Sequence, residues 1–168
     1  MKITKNPTTK GIFPELRGNL GAMKYPCFAE VKFDGEACII MFDSSWPDKI
    51  TTTNKYGTMR SDWSKLDEIV KILEDKEVTK GTFLAELYYG AGLAGALYQL
   101  LSNKDNDEML NIKIYDTAHI INGSDIDGSK TPLIDRKEIL SDIFGDSKYL
   151  IKPKMMNSKK EVEDYFKE

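Results

Sequence analysis

The 168-residue chain is 40% hydrophobic and 30% charged, a balance that suits one globular domain able to bury a core. Its formal net charge of −3 provides no general attraction to nucleic acid, so any polynucleotide contact needs a local basic face. Two cysteines, Cys27 and Cys38, do not make a disulfide scaffold, the opening MKITKNPTTK has no apolar stretch, and the apolar run at 37–42 is far below the roughly 20 residues of a membrane helix. A cytoplasmic, intracellular protein with no membrane contact is expected.

Along the chain, residues 27–32 alternate, with Cys27, Ala29 and Val31 on one side and Phe28, Glu30 and Lys32 on the other, which predicts a strand with Lys32 at its end. Lys32-Phe33-Asp34-Gly35 then turns the chain and 37–42 returns as a second, buried strand, as in a hairpin. Trp63, Leu66, Ile69, Val70 and Leu73 recur at helical spacing over 62–75, with Ser61 or Asp62 as N-cap. Residues 82–89 read as a strand with Thr82, Leu84, Glu86 and Tyr88 on one face. A helix marked by Leu93, Leu97, Leu100 and Leu101 and a strand at 110–116 follow. Thr131-Pro132 opens a helix whose stripe is Ile139, Leu140, Ile143 and Phe144 and which Gly145 ends. Ser158 and Glu161 have capping-box spacing ahead of Val162, Tyr165 and Phe166, predicting a last short helix. Interleaved strands and helices without a regular βαβ rhythm predict an α+β fold with antiparallel sheets flanked by helices.

The chemistry concentrates at Glu30-Val31-Lys32-Phe33-Asp34-Gly35. A lysine and a carboxylate share a strand face, and a glycine follows where the backbone can approach closely. A lysine attacks only as the free amine, so its ordinary pKa of about 10.4 must be lowered by desolvation or nearby cations. On its own, Lys-x-Asp-Gly is equally a surface turn.

The surrounding residues are more specific. Ala29-Glu30-Val31-Lys32-Phe33-Asp34-Gly35 resembles motif I of the covalent nucleotidyltransferases: DNA ligases, RNA ligases and mRNA capping enzymes. Asn54-Lys55-Tyr56-Gly57 is similar to motif Ia, Phe83-Leu84-Ala85-Glu86-Leu87 to motif III, and Ile114-Tyr115-Asp116 to motif IIIa. Arg136 followed by Leu140 resembles the Arg-rich helix after it. The order and gaps resemble most closely the adenylation domain of an ATP-dependent DNA ligase.

That resemblance implies an ATP-grasp-like nucleotidyltransferase core, with residues 1–168 forming part of an adenylation domain and no oligonucleotide-binding-fold domain. It implies Lys32 as the catalytic residue that becomes lysyl-AMP, Glu30 at the adenine edge, Lys55 near the phosphates, Glu86 at the ribose and Tyr115 stacked on the base. Asp34 and Gly35 support the turn. The implied cofactors are ATP and Mg2+ or another divalent metal, whose ligands are not assigned, and the implied partner is nicked double-stranded DNA. The Lys-x-Asp-Gly core does not identify base or sugar, so an RNA ligase, an mRNA guanylyltransferase fragment and a non-catalytic nucleotide-binding remnant remain alternatives.

The chain departs from the pattern at three points. Ala37 stands where most DNA ligases have arginine two residues after the glycine, and Lys55 replaces an arginine, keeping the charge but not its bidentate geometry. Motifs IV and V are not visible, which implies a domain incomplete at its C-terminus, impaired sealing, and completion by a second polypeptide or by self-association. Lys152-Pro153-Lys154 is read as surface lysines, not motif V.

Weaker patterns are set aside. Asp125-Ile126-Asp127-Gly128 is similar to an EF-hand loop, but its first and twelfth positions would be Gly123 and Ile134, so a polar turn is expected. His119 has no metal-ligating neighbours in sequence, and the glycines of 90–95 lack a Walker lysine.

Overall fold

The structure is a computed structural model that describes residues 24–31, 33, 35–57, 59–60, 64–89 and 110–165. Its strands are β1 (Cys27–Ala29), β2 (Glu36–Asp43), β3 (Ile50–Asn54), β4 (Met59–Arg60), β5 (Lys80–Tyr89), β6 (Leu110–Asn122), β7 (Ser124–Asp127) and β8 (Lys154–Met156). Its helices are α1 (Ser64–Asp75), α2 (Leu133–Phe144) and α3 (Lys159–Tyr165). The α+β class with antiparallel sheets is as expected: six strands lie in the order β4-β3-β2-β5-β6-β7, and β1 pairs with β8 in a separate two-stranded sheet.

Period-two alternation builds the main core. Cys38, Ile40 and Phe42 of β2, Phe83, Ala85 and Leu87 of β5, and Leu110, Ile112 and Ile114 of β6 point to one face. Leu66, Ile69 and Leu73 of α1 and Leu140, Ile143 and Phe144 of α2 cover them, with the Phe83 and Phe144 rings meeting edge-on at 5.4 Å. The opposite face carries a smaller cluster of Leu84, Tyr115, Ala118 and Ile151, against which Phe33 and Ile39 pack.

Local signals set the element ends. Gly145, at φ 49°, stops α2 and donates its N–H to the Ser141 carbonyl at 2.8 Å. Ser158 Oγ accepts the Glu161 N–H at 3.3 Å, the predicted capping box of α3. α1 begins at Ser64, and its expected caps Ser61 and Asp62, with Trp63, lie outside the described residues, as do the helix predicted around 93–101 and Phe166.

Three expectations are corrected. β1 ends at Ala29 and does not form a hairpin with β2, because both edges of β2 are already taken by β3 and β5; β1 pairs instead with β8. β6 continues six residues past Asp116, to Asn122, because Asn122-Gly123, with glycine at φ 65°, makes a tight turn into β7. Of the stretch 125–128 expected as a polar turn, Asp125, Ile126 and Asp127 are therefore strand, and only Gly128 begins a turn. Also unforeseen are β3 and β4; in β3 the β-branched Thr51, Thr52 and Thr53 are buried in the pleat.

Candidate nucleotide site

Three segments far apart in sequence meet beside the smaller cluster. The first is the chain between β1 and β2. Gly35 donates its N–H to Glu86 Oε1 at 3.0 Å, a contact across 51 residues that ties the turn to β5. No larger residue fits there: a Cβ on Gly35 would lie 2.1 Å from the Leu87 carbonyl oxygen. Beside it, Phe33 stacks on Tyr88 with centroids 4.5 Å apart. Lys32 and Asp34 lie outside the described residues.

The second segment is β6, which carries two irregularities against β5, between Thr82 and Phe83 and between Leu84 and Ala85. Each leaves an extra β6 residue, Ala118 and Tyr115 respectively, and both of these pack in the smaller cluster, so the bulges re-aim side chains away from strict alternation. Tyr115 does lie opposite the face of Leu110, Ile112 and Ile114, but it is only 8% exposed and is a core aromatic in this state, not an open stacking surface. Burial, and secondarily the nearby carboxylates of Glu86 and Asp116, raise its phenol pKa above the ordinary value.

The third segment is the first turn of α2. Arg136 grips Asp116 through two bonds, Nε to Oδ1 at 2.8 Å and Nη2 to Oδ2 at 2.9 Å. Its Nη1 donates to the carbonyls of Thr131 at 2.7 Å and Gly128 at 3.2 Å. Lys137 Nζ donates to Glu30 Oε1, across 107 residues, and to the Tyr115 carbonyl. The Lys137 side chain is 7% exposed and that of Glu30 20%.

Glu30, Gly35, Glu86 and Tyr115 are thus drawn into one neighbourhood. Lys55 is not: it sits exposed in the turn after β3, its ammonium 5.0 Å from the Tyr56 ring centroid. Lys137 was missed as a site residue, although a signal existed. Arg136 and Lys137 precede Leu140, Ile143 and Phe144 at helical spacing, so two cations extend the apolar stripe where cations are seldom buried unless paired.

Lys152 and Lys154 are exposed, with Lys152 paired to Asp146 and Lys154 over the Tyr165 ring, as expected of surface lysines. His119 pairs with Asp125 at 2.8 Å. Among the described residues no group of three or more His, Cys, Asp or Glu side chains could hold a metal ion, and no helix is long and apolar enough to cross a membrane. No family model matches this chain, and no curated protein matches it either.

Proposed function

We propose that this chain is part of the adenylation domain of an ATP-dependent polynucleotide ligase, with an ATP-grasp-like core, acting on nicked DNA. The observation that carries the reading is a pair of long-range links. Gly35 to Glu86 joins the segment resembling motif I to that resembling motif III, and Glu30 through Lys137 to the Tyr115 carbonyl joins it to that resembling motif IIIa. β5 and β6 are paired neighbours, so what supports the reading is that the chain between β1 and β2 is tied to both of them through Gly35 and Glu30.

In this reading the free amine of Lys32 attacks the α-phosphorus of ATP. A P–N bond forms, the bond from that phosphorus to the pyrophosphate oxygen breaks, and the amine proton leaves to solvent. AMP then passes to a DNA 5′-phosphate, and the 3′-hydroxyl displaces it. Glu30 contacts the edge of the base and Glu86 the ribose, while Gly35 keeps the turn against β5.

The test is incubation with α-labelled ATP and a divalent metal, followed by mapping of the labelled residue. Label on Lys32, lost in Lys32→Ala, supports the proposal. Label that persists in Lys32→Ala, or far better reaction with GTP, overturns it, the latter in favour of a guanylyltransferase. Nucleotide binding without label points to a binding remnant.

A further inference from the structure

The bond between Lys137 and Glu30 leaves the carboxylate half used. Lys137 takes Oε1, while among the described residues Oε2 has no hydrogen-bond partner. The ammonium is held in turn by the Tyr115 carbonyl of β6, and it is almost wholly buried, so it has little freedom to leave. A carboxylate only accepts, and an ammonium only donates. The clamp therefore presents one fixed acceptor.

We infer that Lys137 is a positioning residue that sets base specificity, by clamping Glu30 so that only Oε2 reads position 6 of a purine. This rests on the nucleotide-binding reading above. Adenine carries a 6-amine, a donor that satisfies Oε2; guanine and hypoxanthine carry a 6-oxo group, an acceptor that meets it oxygen to oxygen. Without the clamp the carboxylate turns, and both oxygens become available to the N1–H of a 6-oxopurine.

The experiment compares binding of ATP and ITP, which share sugar and triphosphate, by calorimetry on the full chain and on Lys137→Met and Glu30→Gln. In folded Lys137→Met, the preference for ATP over ITP is expected to fall roughly ten- to a hundredfold, the range for a part-buried polar group that loses its matched partner. Glu30→Gln is expected to reverse the preference. Its amide oxygen stays on the Lys137 ammonium and turns the NH2 toward the base, a donor for the 6-oxo group. An unchanged ATP-to-ITP ratio in folded Lys137→Met overturns the inference while leaving the nucleotide site intact. If Lys137→Met does not fold, an unchanged ratio in Glu30→Gln overturns it. Failure of the unsubstituted chain to bind either nucleotide removes the nucleotide-binding reading itself, and the inference with it.

Discussion

The two faces of the six-stranded sheet are held by different physics. Under α1 and α2 the contact is almost entirely apolar, with Ile40, Phe83, Ile114, Leu73 and Leu140 at 0–2% exposure, so its stability comes from area removed from water and from close packing. On the other side and at the β6 margin, burial is shared with charge. Arg136 and Asp116 are buried together, Lys137 is buried against Glu30, and an aromatic cluster of Tyr115, Phe33 and Tyr88 adjoins them. Buried ion pairs recover little more than their own desolvation, so a fold that keeps them gains geometry more than stability. The apolar face supports the sheet, and the charged margin orients groups on it.

Breaking one partner at the charged margin is the largest effect expected. Arg136→Ala leaves Asp116 buried without its guanidinium and should cost about 3–5 kcal/mol in denaturant unfolding, as breaking one side of a buried pair generally does. Loss below about 1 kcal/mol would mean that water or another cation already reaches Asp116.

On the apolar face, Leu140→Ala opens a cavity at a fully buried position and should cost about 2–5 kcal/mol. It should do so without altering the ratio of ATP to ITP binding, whereas changes at Lys137 should alter that ratio. A shift in nucleotide preference in Leu140→Ala would show that the two faces are not separable.

Gly35→Ala sharpens the comparison at the edge of the site. The added Cβ meets the Leu87 carbonyl, so β2 must part from β5 at its first residue, for about 1–3 kcal/mol, together with loss of the bond to Glu86. Lysine labelling should fall more steeply than stability. Equal falls would reduce Gly35 to a packing role.

The smallest effect is electrostatic and lies far from the site. Hydrogen bonds from Ser45, and then the Lys80 ammonium, hold the Asp43 carboxyl at about 2, below its ordinary 3.8. A folded pKa below the unfolded one stabilises above the unfolded value, so this contribution is complete above pH 3.8 and disappears as pH falls through about 2. Ser45→Ala should raise the lower end of that window, read from thermal melts between those pH values. An unchanged acid limb would assign acid sensitivity to other carboxylates, such as Asp127, lowered by hydrogen bonds from Ser129 and then by Lys130, and Asp146, lowered by Lys152.

Much of this was legible in the chain itself, because the responsible signals act over a few residues. The alternations at 82–89 and 110–114, the stripe of α1, Gly145 after α2 and the capping box at Ser158 each express a local backbone preference or a periodicity, and the structure follows them. The motif resemblance also singled out Glu30, Gly35, Glu86 and Tyr115, which the fold draws into one neighbourhood with Tyr115 buried. Other features required the path of the whole chain. The partner of β1 is β8 because β2 has no free edge, and no residue near β1 encodes that. Tyr115 is covered because a bulge turns it toward Leu84 and Ile151, against a register that only the pairing with β5 creates. Lys137 reads locally as a charged helix residue, and it becomes a clamp only when folding brings Glu30 across 107 residues of chain. Short-range sterics and periodicity thus determine which elements form, while strand edges, bulges and buried charges are settled by competition among distant partners for the same hydrogen bonds.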